Sequence, residues 1–443
     1  MNHAARVAVI GAGSTYTPEL VDGFIVRSGS LPVSELRLMD IDRERLAVVG
    51  GLARRMLERS GWKGRLLLTE DLDEALGGAD FVVCQIRVGG LGARHLDESI
   101  PLRHGLIGQE TTGIGGFMKA MRTIPVLTSI ARRMGDLAPE AWLVNFTNPS
   151  GLIAEALLNG LGFDRAIGLC NVPINMRADI ASRAPPGTRI DLEYVGLNHF
   201  SWITKIFHDG REVLGPALAG GEGAEALGAG KGLGAMRNVP ETEFDGELLR
   251  AVGGVPNSYL GYYYHRDRQL AHLAGAERTR AEECMLIDRE LLDSYRDPSL
   301  VEKPAALEKR GGHLYSEAAV SLIEAVANDE GSEQVVDTRN RGALSFMDED
   351  DVVETTCLVG SSGLKPRPIA DFTNLHIIGL MRMMKAYERL AARAGLEGDY
   401  DAALAALLLH PLAGDRERVK AALDELFAAH AAYLPQFAGG KGR

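Results

Sequence analysis

The sequence has few cysteines and no long apolar run, and both absences narrow the possible functions. Only four of its 443 residues are cysteine, and they are widely spaced, without a Cys-x-x-Cys pair. A disulfide framework is therefore not expected, and reduced thiols in the cytoplasm are the better interpretation. The longest weakly polar stretch, 402–409, is far shorter than the roughly 20 apolar residues of a membrane span, and no leader peptide is recognisable. We therefore expect a cytoplasmic protein without a membrane segment.

Basic side chains are fewer than acidic ones in this sequence. The chain carries 60 acidic against 48 basic side chains, which gives a net charge of −12. This balance argues against a general nucleic-acid or anionic-membrane surface. An anionic ligand must then be held by a local cluster of arginines, and the expected partner is a small molecule. The length predicts two or three domains.

Short apolar runs alternate with amphipathic segments over the first 170 residues. The runs are RVAVI (6–10), LRLM (36–39), RLLL (65–68), DFVVCQ (80–85), AWLVNF (141–146) and RAIGL (165–169). This alternation predicts an α/β fold with a doubly wound parallel sheet. From Asp191 onward, DLEYVG and SWITKIF are typical of antiparallel strands. We predict a first domain at 1–190 and a C-terminal α+β catalytic domain at 191–443, with the Gly-rich segment 215–234 as a loop or lid insert.

A glycine turn follows the first predicted strand. Gly11 and Gly13 stand in GAGSTY, where backbone N–H groups can face an anion at the positive end of a helix. Tyr16 replaces the usual third glycine, so the dinucleotide fingerprint is broken. Asp40, at the end of the second strand, suits an adenosine ribose and repels a 2′-phosphate. We expect a Rossmann-like domain that binds NAD through Gly11, Gly13, Ser14, Thr15 and Asp40; a tight turn without nucleotide is the alternative.

Polar residues are concentrated in the loops that follow the later strands. Arg87 and Arg94 follow the fourth strand, and Glu110 lies in the glycine-rich loop 105–116. In an open α/β sheet the carboxyl ends of the strands form the ligand crevice, so these loops should converge. Nothing in the chain resembles a Ser-His-Asp triad or a P-loop.

Cys170 and His199 are the natural metal pair of this sequence. Taken alone, each is more typical of a buried core residue. Asparagines 148, 171 and 198 in the predicted crevice weaken that interpretation, because buried amides need partners such as ligand hydroxyls. Two protein ligands leave open positions for substrate oxygens and water, which suits a catalytic metal.

Nine segments together resemble the family 4 glycoside hydrolases, and the 6-phospho-β-glucosidases are the most similar subgroup. They are GAGSTYTPELV, QIRVGG, GLIGQETTGIGGF, NFTNPSG, GLCNVPIN, GLNHFSW, NSYLGYYY, KRGGHLYS and DTRNRGA. The resemblance extends from about residue 6 to residue 345, and more loosely to about 430. It implies a fold like that of lactate and malate dehydrogenases, and a glycosidase that needs NAD and a divalent metal, usually Mn²⁺.

The chemistry implied by the resemblance is oxidation followed by elimination. Hydride leaves carbon 3 of the sugar for NAD, a base removes the acidified proton on carbon 2, and the aglycone departs. Water then adds and the hydride returns, so no net NADH forms. The metal polarises the reacting oxygens and stabilises the enediolate.

The resemblance also implies a role for each matching residue. The metal ligands would be Cys170 and His199, the carbon-2 base would be Tyr259, and Glu110 would tune that base. The substrate contacts would be Arg94, Asn148 and Asn171, with Arg87 and Arg280 as candidates for the 6-phosphate because a guanidinium can hold phosphate in a bidentate way.

Asn171 bears on the stereochemistry of the substrate. In the phospho-α-glucosidase branch the residue after the metal cysteine is typically Asp, which can protonate the departing aglycone, whereas asparagine cannot. The sequence therefore favours a β-linked substrate, either a phosphorylated disaccharide or an aryl glycoside. Gly261, where the subgroup often carries arginine, and the segment 358–372 depart from the usual pattern.

Three alternatives stay open. The chain could be a relative acting on α-linked, galacto-configured or unphosphorylated glycosides. It could be a plain NAD-dependent dehydrogenase, which would accumulate NADH. It could also be an inactive NAD or sugar-phosphate sensor, although the presence of Cys170, His199 and Tyr259 together speaks against that. Because the family tends to form dimers or tetramers, a homodimer or homotetramer is expected.

Overall fold

Residues 3–220, 238–310 and 314–438 are described by the computed structural model, and their strands form one sheet. The strands are β1 (Ala5–Ile10), β2 (Val33–Met39), β3 (Arg65–Thr69), β4 (Phe81–Cys84), β5 (Trp142–Asn145), β6 (Ala166–Gly168), β7 (Ile190–Leu197), β8 (Phe200–His208), β9 (Arg211–Glu212), β10 (Val255–Pro256), β11 (Ser332–Arg339), β12 (Val352–Gly360) and β13 (Gly363–Pro366).

Helices connect the parallel strands and cover both faces of the sheet. They are α1 (Thr17–Val26), α2 (Arg43–Ser60), α3 (Leu72–Leu76), α4 (Gly90–Arg103), α5 (Gly113–Leu137), α6 (Ser150–Glu155), α7 (Val172–Arg183), α8 (Leu214–Gly220), α9 (Gly246–Val252), α10 (Gly261–Tyr264), α11 (Arg266–Gly275), α12 (Arg280–Tyr295), α13 (Tyr315–Asn328), α14 (Leu375–Glu397), α15 (Tyr400–Leu409) and α16 (Arg416–Ala429).

The parallel half of the sheet has the strand order β3-β2-β1-β4-β5-β6. This is the order of a dinucleotide-binding Rossmann sheet. All six predicted apolar runs form these strands, with end points that differ by up to three residues. The predicted α/β fold with a doubly wound parallel sheet is confirmed.

The antiparallel half continues the same sheet. β6 pairs with β11 at Gly168 and Asp337, and β12, β7, β8 and β10 follow in that order. β7 and β8 form a hairpin whose two-residue loop is Asn198 and His199. The antiparallel strands predicted after Asp191 are therefore present.

Two hydrophobic cores lie on opposite faces of the sheet. One core combines α1 and α2 with α12 and α13, and the other includes α5, α6 and α14. The division at residues 190 and 191 stays a prediction, because the sheet and the first of these cores both run across it. The Gly-rich segment begins inside α8, and its remainder from residue 221 lies outside the described residues.

All four cysteines are free and buried. Nowhere in the described ranges is there a helix both long and apolar enough to cross a bilayer.

Candidate active site

Loops that follow three of the parallel strands, β1, β4 and β5, meet at the carboxyl edge of the sheet. Gln85, after β4, donates to the Gly11 carbonyl in the loop after β1 at 3.3 Å. The Ile86 amide donates to Thr147 Oγ1, after β5, at 3.1 Å. The Gly151 amide donates to Asn198 in the β7–β8 hairpin at 3.2 Å, so the second half of the chain reaches the same edge.

The glycine turn after β1 forms a tight backbone cradle. Gly11 has a φ of +86°, a conformation that side chains with a Cβ rarely adopt. A Cβ on Gly13 would lie 2.8 Å from Asp40 Oδ2. Asp40 accepts hydrogen bonds from the amides of Gly13 at 2.7 Å and Asp42 at 2.9 Å. The cradle thus requires glycine and fits the close approach of a dinucleotide phosphate beside a carboxylate.

The residues after the cradle tie it to the second half of the chain. Thr15 donates to Asp288 of α12 at 2.8 Å, so its hydroxyl anchors that helix. The Ser14 hydroxyl accepts from the Tyr16 amide at 3.3 Å. Tyr16 donates to the Arg310 carbonyl at 2.9 Å, and the Arg310 guanidinium lies 5.2 Å from its ring. The residue in place of the third glycine therefore makes a contact with the second half of the chain that glycine could not make.

Cys170, His199 and Tyr259 form one buried cluster. The Cys170 sulfur lies 3.3 Å from His199 Nε2, and the rings of His199 and Tyr259 are 4.2 Å apart between centroids. Cys170 lies two residues after the end of β6, whereas His199 occupies the hairpin loop with a φ of +60°. Left-handed backbone is costly for a non-glycine residue, so its presence here is a sign of a functional constraint.

Two buried polar atoms of the predicted site residues lack partners within residues 3–220, 238–310 and 314–438. They are His199 Nδ1 and Asn148 Oδ1. Within those ranges no three His, Cys, Asp or Glu side chains are grouped as metal ligands, so the Cys170–His199 pair would hold a metal with several positions open. The donor set of one thiolate and one imidazole fits a divalent transition metal.

Burial keeps the three groups of the cluster uncharged. It raises the pKa of the Cys170 thiol well above its usual value and lowers that of His199 to about 3. Burial also raises the pKa of Tyr259, a thiolate at Cys170 would add to this effect, and a hydrogen bond from Thr111 opposes it. Binding of a metal cation at this pair would therefore release the thiol proton and favour the phenolate.

Glu110 is surrounded by three cations. Its carboxylate contacts Arg87, Arg94 at 2.9 Å and Lys119 at 3.0 Å. Burial alone would raise the pKa of Glu110, but Arg87, Arg94 and Lys119 outweigh it and hold the value well below the usual range. Arg94 also pairs with Glu98 at 2.7 Å. The glycine-rich loop thus carries a permanent negative charge inside a positive cluster.

Lys119 is a site residue that sequence reasoning missed. It lies on α5, and its buried ammonium binds the same Glu110 oxygen as Arg87. Burial lowers the pKa of Lys119 to about 7, with Arg87 acting in the same direction and Glu110 opposing. The sequence did contain a signal for Lys119, which is the lysine in the apolar segment GFMKAM. A lysine in a buried helix is expected to have a charged partner, so its position there pointed to a buried ion pair.

A buried network supports the hairpin that carries His199. Asn198 donates to Glu354 Oε1 at 3.0 Å, and Tyr194 donates to Glu354 Oε2 at 2.5 Å. Glu354 lies on β12, and neither it nor Tyr194 was singled out from the sequence. The carboxylate therefore holds both β7 and the first residue of the hairpin loop from the neighbouring strand.

Arg280 and Asn171 are two further predicted substrate residues. Arg280, at the start of α12, is bonded to Asn238, Glu283 and the Lys309 carbonyl. Asn171 follows Cys170 and precedes the first turn of α7. Neither role is tested by these contacts, and both stay predictions.

The sequence matches two parts of one known family. Residues 6–184 match the family 4 glycosyl hydrolases, and residues 194–413 match the C-terminal domain of that family. A Bacillus subtilis protein named "Probable 6-phospho-beta-glucosidase" is 43% identical over 99% of both chains. The 6-phospho-β-glucosidase of Escherichia coli is 37% identical over 99% of this chain and 98% of its own length.

Solved structures agree with these sequence matches. The 6-phospho-β-glucosidase from Thermotoga maritima with NAD and glucose 6-phosphate has a TM-score of 0.87 and 36% identity, over 97% of this chain and 99% of its own. Another structure of that enzyme, with manganese, NAD⁺ and glucose 6-phosphate, has a TM-score of 0.85. Malate dehydrogenase of Cryptosporidium parvum, 12% identical over 88% of this chain and 100% of its own with a TM-score of 0.53, shares the fold.

Proposed function

This chain is a glycosidase that belongs to family 4 of the glycosyl hydrolases, and from that premise we propose that it hydrolyses 6-phospho-β-glucosides by redox and elimination. The observation that carries the proposal is the buried cluster of Cys170, His199 and Tyr259 at the carboxyl edge of the sheet. A thiol, an imidazole and a phenol at one place suit proton abstraction beside a metal, and they do not suit a two-carboxylate hydrolysis.

The chain has separate sets of residues that fit NAD and the divalent metal. When bound, NAD supplies a hydride acceptor for carbon 3 and a divalent ion supplies a Lewis acid for the sugar oxygens. The Gly11–Gly13 cradle with Asp40 would hold the nucleotide, and Cys170 with His199 would hold the metal. Asn148 Oδ1, buried and without a partner in the described part of the chain, would accept a hydrogen bond from a sugar hydroxyl.

Tyr259 is the proposed base for the proton on carbon 2. A base must be ionised before it accepts a proton, and burial works against ionisation of this phenol. Positive charge at the adjacent Cys170–His199 pair would lower its pKa toward the working range. Glu110, negative and close enough to influence the same phenol, would limit that drop, which is the tuning role proposed for it.

Arg87 is the strongest candidate for the 6-phosphate. Of the three cations around Glu110 its side chain is 26% exposed, against 1% for Arg94 and 5% for Lys119. Arg87 can therefore face a ligand while Arg94 and Lys119 keep Glu110 neutralised. Arg94 and Arg280 remain proposed substrate contacts with weaker geometric support.

The β-linkage is proposed from Asn171 and from the relatives. An amide after the metal cysteine cannot act as an acid toward the aglycone, and the relatives described above are named as β-glucosidases. We also propose a cytoplasmic homodimer or homotetramer. Four free cysteines agree with a reducing compartment, and gel filtration with light scattering would measure the assembly.

The test is hydrolysis of 4-nitrophenyl β-glucoside 6-phosphate with NAD, Mn²⁺ and a thiol reductant. Each component is omitted in turn, and the α-linked and unphosphorylated analogues serve as matched substrates. Nitrophenol release that needs both NAD and metal, without net NADH, is the expected result. Steady NADH accumulation with a sugar or hydroxy acid, and no release from any analogue, would identify a dehydrogenase instead.

Tyr259→Phe tests the assignment of the base. The phenyl ring preserves the packing against His199 but cannot accept a proton. We expect exchange of the carbon-2 proton with deuterated water to disappear, while NAD binding stays unchanged. Exchange that persists in the variant would remove Tyr259 from the mechanism.

A further inference from the structure

A second cleft lies at the amino ends of β5 and β6, on the edge of the sheet opposite the Cys170–His199 cluster. It has a volume of about 280 Å³, and its walls include Trp142, Arg165, Arg339, Arg341, Ser361 and Ser362. β6 and β11 pair only at Gly168 and Asp337. The strands diverge beyond that pair and leave the space.

Three arginines line this cleft against a single carboxylate, Asp164. Arg339 is fixed by Asn159 at 2.9 Å, by the Leu158 carbonyl at 2.5 Å and by Asp164 at 2.5 Å. On a chain with a net charge of −12, this is a local positive site of the kind that an anionic ligand would need.

Arg165 is only loosely held by its carboxylate partner. It bonds to Glu140, whose side chain is 86% exposed, and its guanidinium lies 5.3 Å from the Trp142 ring. Ion pairs this exposed contribute little free energy, so a ligand can compete for the guanidinium.

Arg341 has no ion-pair partner anywhere in residues 3–220, 238–310 or 314–438. Its backbone has a φ of +44°, so the turn after β11 holds this arginine in a conformation that non-glycine residues rarely adopt. Ser361 and Ser362 in the β12–β13 turn line the same cleft, and the Ser361 side chain is hydrogen-bonded to Asp329. A guanidinium without an ion pair, close to the remaining serine Ser362, matches the oxygens of a phosphate group.

We propose that this cleft binds a small phosphomonoester dianion, with Arg341 as the principal contact to the phosphate. Its volume accommodates a phosphorylated monosaccharide, and free phosphate shares the recognised chemistry. The proposal does not depend on the proposed function, because none of these residues belongs to the active-site cluster.

The experiment is equilibrium dialysis of the full-length chain with radiolabelled glucose 6-phosphate at low ionic strength. Arg341→Asn removes the guanidinium and keeps a residue that tolerates left-handed backbone. Arg341→Lys keeps a charge without the planar fork. Arg54→Ala is the matched control, because Arg54 is an exposed arginine of α2 that also lacks an ion-pair partner in the described ranges. Unlabelled phosphate, glucose and glucose 6-phosphate are the competitors.

We expect two binding sites per chain in the unmodified protein and in Arg54→Ala. The affinity of the cleft for glucose 6-phosphate should fall at least about 10-fold in Arg341→Asn, and it should be intermediate in Arg341→Lys. Competition by phosphate but not by glucose supports recognition of the phosphate alone, and stronger competition by glucose 6-phosphate supports added sugar contacts. If the active site does not bind the ligand, one Arg341-dependent site remains. Equal binding by the unmodified protein and Arg341→Asn would overturn the proposal.

Discussion

Three ionisable side chains of the candidate active site are buried. Glu110, Arg94 and Lys119 are each less than a tenth exposed, and each is bonded to an opposite charge. Removing one partner from such a group leaves an uncompensated buried charge, which typically costs several kcal/mol. The cluster is therefore sensitive to substitution even where a residue does not touch substrate.

Lys119→Met should change how stability depends on pH. The pKa of Lys119 is about 7 in the folded protein and near 10.5 when unfolded. Between these values the unfolded chain binds more protons, so raising the pH stabilises the folded state relative to the unfolded one. The unmodified protein should gain stability relative to Lys119→Met from pH 7 to pH 9, by at most about 1.4 kcal/mol per pH unit.

Urea denaturation at several pH values measures this difference. Lys205→Met serves as the control, because Lys205 is half exposed on β8 and should show no such trend. A constant difference between the unmodified protein and Lys119→Met across this range would contradict the lowered pKa.

Cys170→Ser should separate the two cofactor sites. A serine hydroxyl is a far poorer ligand for a transition metal than a thiolate, so Mn²⁺ affinity should fall about 10-fold or more. NAD affinity, measured by calorimetry, should remain near normal because the glycine cradle after β1 is a separate site. Loss of NAD binding in this variant would show that the two sites are not independent.

At the scale of elements, the β7–β8 hairpin positions His199. Its two-residue loop forces His199 into left-handed backbone, and Glu354 of β12 holds the loop through Asn198 and Tyr194. Groups that orient a metal ligand commonly influence affinity as strongly as 10- to 100-fold.

Glu354→Ala should therefore weaken Mn²⁺ binding about 10-fold or more. Glu354→Gln keeps an acceptor for Asn198, so its loss of Mn²⁺ affinity should be smaller. Glu333→Ala, at an exposed position on β11, is the control. Electron paramagnetic resonance of free Mn²⁺ gives the affinities, and circular dichroism reports the fold. A folded Glu354→Ala variant with unchanged affinity would rule out this positioning role.

At the scale of the whole molecule, the nucleotide half depends on later segments of the chain. α12 and α13 supply Leu291, Tyr295 and Ile323 to the core that also contains α1 and α2. The sheet continues from β6 into β11 and β12. The predicted domains share one core and one sheet even though their sequence patterns differ.

A fragment of residues 1–190 should therefore fail to fold cooperatively. Without α12 and α13, one face of the parallel sheet would expose large apolar side chains, and β6 would become an unpaired edge. Thermal melting followed by circular dichroism is the measurement, with the full chain as the reference. A sharp transition and NAD binding by the fragment would show that the first half folds independently.

The sequence was informative where a pattern is local. Apolar runs predicted β1 to β6 because strands buried on both faces need continuous apolar residues, and the nine motifs identified the family, which the comparisons confirm. Lys119 and Glu354 were not predicted, because Lys119 lies in an otherwise ordinary helix and the partners of Glu354 are distant along the chain. The contacts of Tyr16 with Arg310 were not predicted either, and the broken dinucleotide fingerprint was their only signal in the sequence.

The sequence by itself determined the fold class, the family and the residue types available for chemistry, since these follow from hydrophobic periodicity and from short motifs. Only the tertiary structure decided which charges neutralise one another around Glu110, how His199 reaches Cys170 across 29 positions, and that Arg341 has no ion-pair partner among the residues that the structure describes. The physical reason is that pairing energies depend on distance and burial, and both are set when the strands of the two halves join into one sheet.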